Sequence, residues 1–141
     1  KPVCIAVGST DPITLAQVAM LRRTRPETAF VAAPNGAVSA KPDATLRPVT
    51  LLQATPGPQA QPADVATRFA QGSADWLRRA ATLVLTGGAT AEAILDRLEI
   101  EVLTVQGEAL PGMPYCRAGA QGIVTKSGGF GGPDAFVQLT E

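Results

Sequence analysis

The residues of this chain with most to offer chemically are glycines at strand-like ends. Residues 82–98 read TLVLTGGATAEAILDRL, in which Leu83, Val84 and Leu85 form a short apolar run that stops at Gly87 and Gly88. Beyond the pair the spacing turns helical, with Ala91, Ile94, Leu95 and Leu98 on one side. The segment reads as strand, glycine turn, helix. At the carboxyl edge of a parallel sheet, the free N–H groups that open such a helix favour an anion, and glycine lets a ligand oxygen approach the backbone. The same residues also serve as an ordinary tight turn, which every strand-helix unit requires.

Two other segments have comparable chemistry. GSTDPIT at residues 8–14 follows the apolar run 3–7 and carries Ser9, Thr10 and Asp11, which equally suit a helix cap ahead of Pro12. KSGGFGGPD at residues 126–134 follows Ile123, Val124 and Thr125. Its glycines leave so little bulk that backbone amides can lie directly against a ligand. Lys126, between strand and glycine run, occupies a place used for holding phosphate and in plain turns alike. Asp134 reads as the cap of a last helical turn through Phe136 and Leu139. Neither GxxxxGK[ST] nor GxGxxG occurs, which disfavours a Walker-type NTPase and a standard Rossmann dehydrogenase.

Composition narrows the chemistry further. The chain has 141 residues, the size of one domain, and twelve basic residues balance twelve acidic ones. That balance lacks the basic excess of nucleic-acid or acidic-membrane binders. No apolar run reaches the length of a membrane span and no charged-then-apolar leader is read, so a soluble, cytoplasmic protein is expected. Cys4 in a strand pattern and Cys116 in a loop context are too few and too poorly spaced for a disulfide framework or zinc cluster, and should be reduced thiols. Histidine is absent. Any chemistry must therefore use carboxylates, lysine, backbone dipoles or a second domain. No spacing specifies a metal site, Asp11 and Asp134 included.

The elements that must position these segments follow from periodicity. Strands are expected at 3–7, 29–33, 49–54, 82–85, 100–105 and 123–125, with the one at 100–105 placed by a βαβ crossover. The first helix should direct Leu15, Val18 and Ala19 inward, with Arg22, Arg23 and Arg25 collecting at its carboxyl end. Residues 29–33 complete a βαβ unit with the first strand. Residues 34–48 and 55–62 read as loop, the latter along the sheet edge, and 107–113 (GEALPGM) as a turn-rich loop. Residues 63–81 form a helix that buries Val65, Phe69, Trp76, Leu77 and Ala80, with Trp76 in the core rather than stacked on a ligand. The expected fold is a single three-layer α/β domain with a mainly parallel sheet of five or six strands flanked by helices.

In order and content, GST(D)PIT, TGGATA, and PGMP followed by KSGGFGGPD resemble the carboxyl-terminal nucleotide-binding domain of the four-carbon acid sugar kinase family, over nearly the whole chain. The resemblance implies a two-domain kinase that phosphorylates threonate, erythronate or an oxo-tetronate with ATP and Mg2+. The sugar acid and the catalytic base would then belong to an amino-terminal domain outside this chain, which alone would be inactive. It places nucleotide contacts on Ser9, on Gly87, Gly88, Ala89 and Thr90, and on Gly128, with Lys126 and Gly131 as looser candidates. This sequence has Asp11 where a small polar residue is expected and Ala89 where glutamate is frequent, departures that backbone amide contacts survive. The implied partners are a nucleotide and a small sugar acid, with a homodimer left open. Two other readings stand beside it: a non-catalytic α/β domain that binds a phosphorylated metabolite, and a structural interaction domain.

Overall fold

The computed structural model describes residues 1–58 and 61–141. The apolar run Val3–Val7 forms β1, followed by α1 (Pro12–Thr24), β2 (Ala29–Pro34), β3 (Val49–Thr55), α2 (Pro62–Arg78), β4 (Thr82–Thr86) and α3 (Gly88–Arg97). The remainder is β5 (Thr104–Leu110), β6 (Met113–Ala118), β7 (Gln121–Lys126) and a short α4 (Ala135–Leu139). One sheet holds every strand in the order β2-β3-β1-β4-β7-β6-β5. The first five of these pair in parallel, whereas β6 runs antiparallel to both β7 and β5. Of the loop expected at 55–62, Gln59 and Ala60 lie outside the described residues.

The central strands are apolar on both faces because helices cover both. On one face Cys4, Ala6, Leu52, Leu83, Leu85 and Ile123 pack with Phe69 and Leu77 of α2 and Ile94 of α3. On the other, Ile5, Val7, Leu51, Val84 and Val124 pack with Val18 and Leu21 of α1 and Phe136 of α4. The three-layer arrangement agrees with expectation. Trp76 is buried, and its indole N–H donates to the Ala40 carbonyl at 3.2 Å.

Several expectations need correction. The sheet has seven strands rather than five or six; it is mainly parallel as expected, with β6 and β5 antiparallel at one side. The extra strand is β6, and most of the loop expected at 107–113 is strand: only Pro111 and Gly112 turn, with Gly112 at φ +80°, and strands flank them on both sides. The later part of β5 reads as loop because the strand is solvated along most of its length and needs no apolar pattern. It starts at Thr104 instead of residue 100 and is the antiparallel edge strand, so no parallel crossover leads into it. Cys116 lies buried within β6 rather than in a loop. β2 pairs with β3, which separates it from β1. In α1, Leu15 and Ala19 face outward, and the buried stripe is Thr14, Gln17, Val18 and Leu21. That stripe has ideal i, i+3, i+4, i+7 spacing, but two members are polar and escape an apolar count.

Among the described residues no helix is long and apolar enough to cross a membrane. Both cysteines are free and buried, and burial pushes the Cys4 thiol up to about 12. A thiol held protonated is a poor nucleophile. Ellman's reagent should therefore label neither cysteine in the folded chain and both in denaturant; fast labelling of Cys4 under native conditions would contradict this packing.

Candidate functional site

Three neighbouring parallel strands, β1, β4 and β7, end at the same edge, so the loops that follow them are forced together. The ladder continues one step past the strands: the Gly8 N–H donates to the Thr86 carbonyl at 3.0 Å, and the Gly87 N–H to the Lys126 carbonyl at 3.2 Å. The backbone at Gly8 comes so near Thr90 that a Cβ there would fall on the Thr90 hydroxyl. Gly87 has φ +100° and lies over the Ser9 backbone, where its own Cβ would be 3.4 Å from the Ser9 nitrogen. A Cβ on Gly128 would lie 2.6 Å from Ser9 Oγ. The loops around Ser9, Gly87 and Gly128 thus meet at one sheet edge, although Ser9 and Gly128 are separated by most of the chain.

These loops carry unpaired backbone donors. α3 opens at Gly88 after Gly87, which provides no side-chain cap. Its first amides, at Gly88, Ala89 and Thr90, have no acceptor among the described residues, the condition every helix start imposes. The same holds for the amides of Ser9, Thr10, Gly128 and Gly129. These groups and the positive end of the α3 dipole suit an anion. Gly88 and Ala89 are exposed, and the space where a Gly88 side chain would project is empty to 4 Å. Thr90 is buried against Gly8, which leaves its amide rather than its hydroxyl for a ligand.

Lys126 and Gly131 support the third loop from beneath. Lys126 is 2% exposed, and its Nζ donates to Thr14 Oγ1 at 3.2 Å, to the Ser127 carbonyl at 3.0 Å and to the Gly128 carbonyl at 3.1 Å. An ammonium has three donors, and all are used. Any influence of Lys126 on a ligand therefore runs through the loop. Burial lowers its pKa, with the Asp11 carboxylate partly opposing. Gly131, at φ +90°, packs on Met113, Ala135 and Gln17 and is needed for the turn itself.

Thr14 and Gln17 were invisible as site residues in the sequence. Thr14 Oγ1 donates to the Gly128 carbonyl at 2.6 Å, and Gln17 Nε2 donates to the Phe130 and Gly132 carbonyls, each at 2.9 Å. The signal that points to them is two polar residues on the inward stripe of a helix. Asp11 caps α1, its Oδ1 accepting the Ile13 N–H at 2.8 Å, while its Oδ2 faces Gly129. Among the described residues no group of three or more His, Cys, Asp or Glu side chains is placed to hold a metal. Beside the first of these loops, a cleft of about 270 Å³ runs along the ends of β1 and β3, between Gly8, Thr10, Asn35 and the 54–58 segment.

Two substitutions separate support from contact. Gly8→Ala should cost about 2 kcal/mol, because a methyl must displace Thr90 and the start of α3. Lys126→Met strips hydrogen bonds from two carbonyls and should cost about 2 kcal/mol, read from the denaturation midpoint. A lysine with a lowered native pKa binds fewer protons folded than unfolded, so its burial cost is relieved as pH rises through that pKa towards 10.5. The stability advantage of wild type over Lys126→Met should accordingly grow across that alkaline window; a flat difference would mean the ammonium is not desolvated.

A family model described as "Nucleotide-binding C-terminal domain" matches residues 32–136. The second and third loops fall within that match, and the Ser9 loop precedes it. No curated protein matches the sequence. Among solved structures, a domain of unknown function (DUF1537) from Bordetella bronchiseptica, determined with bound citrate as a domain-swapped dimer, is 25% identical with a TM-score of 0.81 over 99% of this chain. A second crystal form of it gives 0.76. Haemophilus influenzae protein HI1011, of the same DUF1537 family, shares the fold at 17% identity, with a TM-score of 0.69 over 98% of this chain. The chain spans only 40% and 39% of the length of those two proteins. By the family match, which the three motifs also indicate, this chain belongs to the family of nucleotide-binding C-terminal domains.

Proposed function

We propose that the hollow bounded by Ser9, Gly87–Thr90 and Gly128 receives the polyphosphate of ATP and that the chain is the nucleotide-binding half of a kinase acting on four-carbon sugar acids. The observation that carries this reading is the convergence of unpaired amides from three separate loops on one sheet edge. Phosphoryl transfer depends mainly on positioning and charge stabilisation, both of which fixed backbone dipoles supply without histidine. The cleft beside Gly8 and Thr10 has room for the nucleoside. Asp11 Oδ2 at the rim fits a Mg2+ carried in on the phosphates, since Mg2+ in such sites takes one or two carboxylates plus substrate oxygens. When bound, the metal would neutralise charge developing on the transferred group.

The sugar acid and the residue that accepts its hydroxyl proton belong, in this reading, to the remainder of a longer polypeptide, as the length of the solved relatives suggests. A homodimer is the assembly we favour, because one of those relatives is a domain-swapped dimer. The substitutions at Asp11 and Ala89 leave room for the second reading, a domain that binds a phosphorylated metabolite without catalysis.

Calorimetry with ADP and Mg2+ should show saturable binding to this chain and no turnover by it alone. Gly88→Leu, whose side chain projects into empty space rather than into protein, should weaken that binding at least tenfold while the melting temperature stays within a few degrees. Unaltered affinity in Gly88→Leu would remove the hollow as the nucleotide site. Stabilisation by sugar phosphates but not by adenine nucleotides would select the second reading.

A further inference from the structure

The cleft beside the first loop crosses the end of β3, from Gly8 and Thr10 after β1 to Asn35, the residue that follows β2. Pro56, Pro58 and Val65 give it apolar surface. The backbone of Asn35 is pinned on both sides: its N–H donates to the Thr55 carbonyl at 3.0 Å, and its carbonyl accepts from Arg68 Nη1 at 2.8 Å. Its φ of +52° is a left-handed conformation that asparagine tolerates and glycine adopts freely, so either residue would serve the turn. The side chain is a separate matter. Its carboxamide lies against Gly57, where a Cβ would come within 2.8 Å of Asn35 Cγ, and it makes no hydrogen bond among the described residues. An amide on a fixed backbone thus stands at the end of the cleft away from the three loops, with its donors and its acceptor uncommitted.

We propose that Asn35 recognises the base of the nucleotide and selects adenine, a role that rests on the nucleotide reading given above. On one edge adenine presents the N6 amino donor beside the N7 acceptor, and a single carboxamide satisfies both. Guanine presents two acceptors there, O6 and N7, one of which must face the carboxamide oxygen. The spacing agrees with this role. Strands β2, β3, β1 and β4 are neighbours in that order, and neighbouring strands lie about 4.8 Å apart, so three steps, about 14 Å, separate Asn35 from the loop at Gly88. An extended nucleoside diphosphate covers that span with its base at Asn35, its ribose beside Gly8 and Thr10, and its phosphates at the amides. Apolar surface with a few convergent polar groups is also the usual build of a small-molecule site. Asn35 belongs to none of the three glycine motifs, and only the sheet order brings it to the same edge.

Asn35→Gly keeps the left-handed turn and removes only the carboxamide, so it should melt within a few degrees of wild type. By calorimetry, wild type should prefer ADP to GDP by about tenfold or more, the discrimination one paired amide contact supplies. In Asn35→Gly the affinity for ADP should fall by about tenfold or more and that preference should vanish, while the affinity for inorganic pyrophosphate stays unchanged. A pyrophosphate affinity that falls together with that for ADP would mean that Asn35 acts through the loops. A wild type that binds GDP as tightly as ADP would mean that no group recognises this edge of the base. Either result overturns the proposal. ADP binding that Gly88→Leu weakens and Asn35→Gly does not would overturn it while leaving the nucleotide site in place, whereas wild type that ADP never saturates would remove both.

Discussion

A buried ammonium decides how the third strand-end loop is presented. Carbonyl and N–H of a trans peptide point in opposite directions. With the Ser127 and Gly128 carbonyls both drawn onto Lys126 Nζ, the N–H groups of the same peptide units, those of Gly128 and Gly129, are turned away from it. Thr14 adds a second donor to the Gly128 carbonyl and accepts from the lysine, which makes the arrangement a small closed network. Such networks rigidify when every member is satisfied. The charge that looks in sequence like a ligand clamp therefore acts as a fixing point for the backbone.

Burying that ammonium requires that β7 not be a sheet edge. The β5–β6 hairpin occupies the position beside β7, and it reaches the loop directly: Met113 lies against Gly131, and Gly112 at the hairpin turn lies against the Phe130 ring. Phe136 of α4 closes another side, its ring centroid 5.7 Å from Lys126 Nζ, within cation–π range. The hairpin beside β7 thus sets the environment of a residue beneath the third strand-end loop.

How much of this was legible in the sequence depends on what each segment buries. β1, β3, β4 and β7 are covered on both faces, so their apolar runs announced them, and the loops after β1, β4 and β7 could be recognised as related. β5 is solvated and carries Gly107 and Glu108, so nothing local distinguished it from a loop; its strand pairing comes from β6 across a two-residue turn. The face of α1 was misjudged because Thr14 and Gln17 replace apolar residues where the helix meets the glycine loop's carbonyls. The glycines and hydroxyls of the three strand-end loops were readable from their types. Their support was not, because it depends on partners more than a hundred positions away.

The glycines at this edge divide into those that build and those that leave space, and only the coordinates separate them. Gly8 permits the first loop to touch Thr90, and Gly87 supplies a left-handed turn over Ser9, so both hold the first two loops at a fixed spacing. Gly88 has ordinary helical geometry and open surroundings, where alanine would favour the helix by about 1 kcal/mol. A glycine where neither backbone nor packing demands it has no account in the folded chain alone, and the reading proposed above supplies one, a ligand resting on the start of α3.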